Sequence, residues 1–420
     1  MSTPRVLLVV LVAMIASLLF TVPVARAAES GTVFLDMDTV THQPPMVAKD
    51  PKDKDNKEKV ASGSVELVDG KFGKACKFTF VGSGPAIFPG GKITPSPDWD
   101  QTDGFSFYVK GDGSESWGGI ELADDSLAKR FGFCFPINST EWTKITVPWK
   151  ALMPEIKGAI VDVKAGMKPS EFKYIQVGKW YYWGTYPACS YSLDNFAIEK
   201  KIDVDATDYT AASTGLSRVA GKIKAGKPIT LVTMGDSLSD KKHWANREVL
   251  WSEVLVKQLQ EKHQCKATLV NPAIGGTTLA QNIITMPRWE KLAPTPDLVV
   301  VCFGGNDFDN GVSGADMKSY LREAVDRIRR DTKGQADILL VSTLPGFEKW
   351  DDYKDLVQAY RDVAAEKKVG LLDMQAEFHK AGTAEDAQKR GYWAKDNVHL
   401  GKAGHELFAQ SVLNTLEAAK

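Results

Sequence analysis

The chain has 420 residues, 43% of them hydrophobic and 25% charged, with 52 Lys and Arg against 53 Asp and Glu. That composition excludes a mostly disordered or collagen-like chain, and a net charge of −1 leaves no global positive field to hold nucleic acid. The length suits two or three domains, with apolar material for more than one core.

The N-terminus reads as an export signal. Arg5 precedes an apolar run over residues 6–24, and Ala25-Arg26-Ala27 offers small residues at the two positions a signal peptidase inspects. Cleavage after Ala27 is expected, giving a secreted or periplasmic protein with no membrane attachment. The alternative is a retained N-terminal anchor, because the run is nearly long enough to span a bilayer. No later segment is long and apolar enough to do so.

Residues 49–59 mix both charge signs without a large apolar residue and read as a solvated loop. From about Lys77 to Ile198 the pattern is short β-rich runs between turns. Apolar and polar residues largely alternate at 105–109, 142–147 and 174–177, as in strands with one buried face. Gly111-Asp112-Gly113 and Ser96-Pro97-Asp98 supply turns. An all-β sandwich over residues 28–203 is predicted. Its densest aromatic run is Trp180-Tyr181-Tyr182-Trp183-Gly184-Thr185-Tyr186, with Trp117, Trp142 and Trp149 elsewhere. Such rings serve either as a sugar platform or as core and loop packing.

The five cysteines, Cys76, Cys134, Cys189, Cys265 and Cys302, contain no CxxC pair. That argues against a cysteine-rich zinc site, and neither metal nor cofactor is expected. An exported chain can form disulfides, and Cys134 with Cys189 is one candidate pair. Cys302, inside an apolar run, is expected to be a small buried hydrophobe.

The pattern changes near Asp203, and the polar stretch 205–211 reads as a linker. Over residues 204–420 strands alternate with helices. Strands are predicted at 229–234, 267–271, 298–303, 338–341 and 369–372. Trp251, Val254, Leu255 and Leu259 fall on one helical face, as do Leu321, Ala324, Val325 and Ile328; further helices are predicted at 356–365 and 404–418. This alternation calls for a parallel sheet covered on both faces, with its chemistry at the carboxyl ends of the strands.

Four short motifs sit there. Gly235-Asp236-Ser237-Leu238 follows the first of these strands, Asn271-Pro272-Ala273-Ile274-Gly275-Gly276 the second and Gly304-Gly305-Asn306-Asp307 the third, while Asp396-Asn397-Val398-His399 precedes the last helix. A serine hydroxyl needs an adjacent base to act as a nucleophile. His399 can take its proton and return it to a leaving alcohol, with Asp396 fixing the imidazole tautomer.

As a set, the four blocks resemble those of the SGNH (GDSL-type) hydrolases, over about residues 222–420. The resemblance implies a flavodoxin-like three-layer α/β fold. It implies Ser237 as nucleophile with Asp396 and His399, and an oxyanion hole made by the Ser237 and Gly276 N–H groups and the Asn306 side-chain amide. Ala273 replaces the glycine usual at the middle of the second block. Residues 190–198 and 142–149 resemble strands of jelly-roll, galactose-binding-like carbohydrate modules, implying a sandwich with polysaccharide affinity. No calcium site can be assigned from that likeness.

Among the remaining candidates, Asp236 is expected to brace its loop and Asp307 to hold the Asn306 loop. His405 is expected in a helix or the core. His243 either lines the site or sits at the surface, and His42, His263 and His379 are read as surface residues. The expected function is a secreted serine esterase that deacylates, in particular deacetylates, a carbohydrate through an acyl-serine. A lipid or small-ester esterase and an O-acyltransferase would reuse the same site. The alternative of another class is a non-catalytic glycan-binding surface protein, against which the intact Ser237, Asp396 and His399 set argues. Substrate-binding residues are not assigned, and no membrane or nucleic-acid partner is expected.

Overall fold

A computed structural model describes residues 31–38, 63–81, 86–155, 167–179, 188–209 and 215–419. The expected signal (1–27), the charged stretch at 49–59, His42 and the aromatic run at 180–186 lie outside the described residues.

The first half is built from β1 (Thr32–Leu35), β2 (Gly63–Asp69), β3 (Lys74–Phe80), β4 (Ala86–Lys92), β5 (Gly104–Lys110), β6 (Trp117–Ala123), β7 (Arg130–Pro136), β8 (Thr143–Pro148), β9 (Met153–Pro154), β10 (Tyr174–Lys179) and β11 (Cys189–Glu199). One antiparallel sheet runs β2-β3-β11-β5-β8 with β1 on β11; the other runs β4-β10-β6-β7-β9. Near the start of the sandwich Thr32 pairs with Ile198 of its last strand. Its core is strongly aromatic. Phe107 stacks on Phe196 at 4.9 Å between ring centroids, and Trp149 tilts against Phe105 at 5.3 Å. Trp149 is thus core packing.

The alternation predicted at 105–109 fails on β5, where those residues are all buried, and β6 is likewise buried throughout. Ile120 and Leu122 face the sandwich core. On the opposite face Trp117, with Cys134 of β7 and Met153 of β9, joins an apolar cluster belonging to the second half of the chain. Cys134 donates its thiol to the Ile284 carbonyl at 2.8 Å, and burial pushes that thiol up to about 12. The disulfide considered from the sequence is therefore not formed: Cys134 and Cys189 are both buried and not bridged. Arg327 adds two polar links across the same seam, donating to the carbonyls of Lys150 and Ala151 at 3.1 Å each.

The second half alternates α1 (Ser217–Lys224), β12 (Ile229–Gly235), α2 (Trp251–His263), β13 (Ala267–Val270), α3 (Leu279–Ile284), α4 (Met286–Leu292), β14 (Leu298–Cys302), α5 (Gly305–Asp309), α6 (Gly314–Asp331), β15 (Asp337–Val341), α7 (Lys354–Lys367), β16 (Gly370–Leu372), α8 (Met374–His379), α9 (Ala384–Lys389) and α10 (Lys402–Ala418). The sheet is parallel, in the order β13-β12-β14-β15-β16. Neighbouring residues of its strands point to opposite faces. Val299, Val301 and Leu340 pack with α3, α4, α6 and α7 on one side. Val300, Cys302 and Leu339 pack with α1, α2, α8 and α10 on the other. Cys302 is the small buried hydrophobe expected. This is the three-layer arrangement the alternation predicts. Among the described residues no helix is long and apolar enough to cross a membrane.

Candidate active site

The site forms where β12, β13 and β14 end. Gly235 closes β12 in a tight approach: a Cβ there would lie 2.6 Å from Ser239 Oγ. Asp236 follows, buried, and accepts the Leu238 N–H at 2.9 Å. This turn presents Ser237. Asn246, fully buried, donates from Nδ2 to the carbonyls of Ser237 and Asp240 at 2.7 Å each. Asp240 accepts the Gly275 N–H at 2.9 Å, and Asn271 donates to the Ser239 carbonyl at 2.8 Å. The loops after β12 and β13 are thereby locked to one another.

Gly276 has φ +79°, a left-handed conformation that glycine adopts without a Cβ penalty. The next carbonyl, that of Thr277, accepts from Asn306 Nδ2 at 3.1 Å, and Asp236 Oδ2 lies 3.4 Å from the same nitrogen. Asn306 stands in the first turn of α5. Gly304 before it is demanded by sterics: its φ is +145°, and a Cβ would fall 1.8 Å from Thr343 Oγ1. Asp307, fully buried, accepts the Leu279 N–H at 3.0 Å and so ties the start of α3 to the Asn306 turn.

His399 lies on the loop before α10. Its Nδ1–H donates to Asp396 Oδ2 at 2.6 Å, which leaves Nε2 to accept the Ser237 hydroxyl at 2.9 Å. Asp396 Oδ1 accepts the N–H groups of His399 (3.0 Å) and Val398 (3.2 Å). Burial opposes ionisation of Asp396, but these hydrogen bonds outweigh it and hold the carboxyl below its ordinary value. The opposite holds for Asp236, which burial pushes up to about 6 against the pull of the Leu238 N–H. A chain acid–imidazole–hydroxyl is thus assembled with the imidazole in the tautomer a base requires.

Beside it opens a cavity of about 240 Å³, lined among others by Ser237, Asn306, Phe347, Lys349, Tyr353 and His399. Lys349 forms an ion pair with Asp309 at its wall. Among the described residues no group of three His, Cys, Asp or Glu could hold a metal.

Ser237, His399 and Asp396 come together as a hydrogen-bonded chain, and Asn306 shares their cavity. Gly276 is not among the lining residues and sits next to Thr277, which orients the Asn306 amide. His405 is in the core, where its Nδ1 accepts the Trp251 N–H at 3.2 Å and burial lowers it to about 4. His263 meets Glu417 at 2.8 Å. His379 is not the plain surface residue expected: it is half-buried, tilted against Trp350 at 4.5 Å, with Nε2 on the Trp350 carbonyl at 3.0 Å. His243 stacks on His399 at 4.0 Å between ring centroids, outside the lining of the cavity. Burial, and then the charge of His399, hold His243 below its ordinary value. Sequence reasoning missed Asp240, Asn246 and Trp244. The signal for the first two is weak: polar residues a few positions after a turn serine, which close that turn on themselves.

Residues 233–407 match the GDSL-like Lipase/Acylhydrolase family, and residues 63–179 match Complex I intermediate-associated protein 30 (CIA30). No curated protein matches the chain. Similar solved structures include a two-domain esterase active on acetylated mannans, with 21% identity over 49% of this chain and 55% of that one (TM-score 0.40). A family 11 carbohydrate-binding module from Clostridium thermocellum has 16% identity over 41% and 98% (TM-score 0.31). A Bacillus subtilis protein has 14% identity over 92% and 98% (TM-score 0.38). Over residues 233–407 the chain therefore matches a family of hydrolytic lipases and acylhydrolases, and this region follows an antiparallel β-sandwich.

Proposed function

We propose that the protein is an exported serine esterase that removes short acyl groups, acetyl foremost, from a carbohydrate. The observation that carries the esterase reading is the chain Ser237 Oγ to His399 Nε2 (2.9 Å) and His399 Nδ1 to Asp396 (2.6 Å). Ser237 attacks the ester carbonyl while His399 Nε2 takes its proton. The carbonyl oxygen becomes an oxyanion held by the N–H groups of Ser237 and Gly276 and by the Asn306 amide. Loss of one such donor typically costs on the order of 10²–10³ in rate. The tetrahedral species collapses, His399 returns the proton to the departing alcohol, and the acyl group stays on Ser237. Water then attacks the acyl-serine, giving its proton to His399; the acyl–Oγ bond breaks, His399 returns the proton to Ser237 Oγ and the acid is released. Asp396 stays ionised throughout and stabilises the imidazolium.

The short-acyl reading rests on the cavity. Asp309, Glu348 and Lys349 share its lining with Leu238, Phe303, Leu344 and Phe347, and a volume of about 240 Å³ suits a compact acyl group better than a long alkyl chain. Export rests on the pattern of residues 1–27. A series of p-nitrophenyl esters from acetate to laurate, assayed beside acetylated polysaccharides, tests the assignment. Acetate turned over at least about tenfold faster than laurate, with acetate released from the polymer, is expected. A preference for laurate with no release from polysaccharide would replace it with a lipid esterase.

A further inference from the structure

Trp244 stands out among the indoles of the described chain. Trp99, Trp117, Trp149, Trp251, Trp289 and Trp393 are all buried, whereas Trp244 is 43% exposed. It sits beside the reacting groups, 6.0 Å from the His399 ring in an edge-on arrangement, and its sequence neighbour His243 stacks on His399 at 4.0 Å. The loop that carries it is held. His243 N–H donates to the Asp240 carbonyl at 3.0 Å, and Asn246 N–H to the His243 carbonyl at 3.1 Å. Asn246 is the same buried residue that clamps Ser237. A large apolar ring fixed in an exposed position by the nucleophile's own clamp costs solvation and contributes no core packing. Lys395 places its ammonium 5.4 Å from the centre of that ring.

We propose that Trp244, supported by His243 and Lys395, is the subsite for the leaving alcohol, and that it takes a sugar ring through its C–H face. The inference rests on the esterase reading above. In that chemistry His399 Nε2 hands its proton to the leaving oxygen, so that oxygen comes within hydrogen-bond reach of Nε2. The body of the alcohol then lies against the neighbours of His399, which on this flank are His243 and Trp244. An indole face offers area and polarisability to the axial C–H bonds of a pyranose, and the Lys395 ammonium offers donors to its hydroxyls. The class of ligand is an O-acetylated glycoside whose ring, not its acyl group, is recognised here.

The test compares two acetates of unlike alcohols, ethyl acetate and an O-acetylated methyl glycoside, in the full chain and its Trp244→Ala and Trp244→Phe variants. The ratio of kcat/KM for the glycoside over ethyl acetate should fall at least about tenfold in Trp244→Ala, with the loss carried by KM, and be largely restored in Trp244→Phe. Equal losses on both esters, or an unchanged ratio, would overturn the subsite while leaving the esterase reading intact. A wild type that hydrolyses ethyl acetate but not the glycoside would also overturn it. A wild type active on neither would remove the esterase reading and this inference with it.

Discussion

Replacing Asp307 by Asn should change how stability depends on pH, and the direction follows from the burial of one carboxyl. Asp307 is fully buried; its Oδ1 accepts the Leu279 N–H at 3.0 Å and its Oδ2 has no hydrogen-bond partner. Burial raises it from an ordinary 3.8 to about 7, against the pull of the Leu279 N–H and with added repulsion from Asp236. As pH rises, the unfolded chain gives up this proton first. Between about pH 4 and 7 the folded state holds a proton that the unfolded state does not, so stability falls across that window. The contribution is fully present below about pH 4 and is lost as pH passes about 7. At 1.36 kcal/mol per unit, the full rise corresponds to about 4 kcal/mol. Asp236, pushed up to about 6, titrates in the same window and supplies part of the repulsion, so about 2–4 kcal/mol is assigned to Asp307. Asn keeps the Oδ1 acceptor for Leu279 and cannot ionise. Thermal unfolding of wild type and Asp307→Asn, followed from pH 5 to 8.5, should show the variant gaining on wild type as pH rises. The gain should be about 2–4 °C for each kcal/mol. Melting curves that shift in parallel over the whole range would refute a neutral buried Asp307.

Ser237→Ala should abolish ester hydrolysis with unchanged thermal unfolding; near-normal activity would remove Ser237 as nucleophile. His399→Ala should be about as damaging, because members of such a set act as a unit, and Asp396→Ala less so, because water can partly replace the orienting acid. Steady-state rates of the three variants on p-nitrophenyl acetate rank them. Trp117→Ala should cost about 3–5 kcal/mol of stability, since it empties an indole-sized site in the cluster shared by the sandwich and α3. Because α3 follows directly on Gly276 and Thr277, kcat on a small ester should fall as well, even far below the melting temperature. A lower melting point with unchanged kcat would make the seam a scaffold only.

The strands and helices of the second half were legible because fully buried parallel strands read as unbroken apolar runs, as residues 298–302 do. The four blocks placed Ser237, Asn306, Asp396 and His399 because each sits at a strand end or just before a helix. What supports them was not legible. Asp240 and Asn246 act on carbonyl and amide groups of the backbone, which any sequence possesses, so no side-chain pattern marks them. The sandwich misled in one respect. Its strands are read as exposing one face, but Trp117 on β6 and Cys134 on β7 join a cluster with helices of the second half, and no local periodicity records partners so distant. A single aromatic beside a histidine, as Trp244 is, cannot be told in sequence from loop packing.

The most direct test is to trap the acyl-serine step. The full chain is treated with a fluorophosphonate, which phosphonylates a serine only where a neighbouring base activates it, and the labelled peptide is identified by mass spectrometry. One adduct is predicted, on Ser237, absent from Ser237→Ala and strongly reduced in His399→Ala. An adduct on another residue, or none in a chain that still hydrolyses esters, would contradict the assignment.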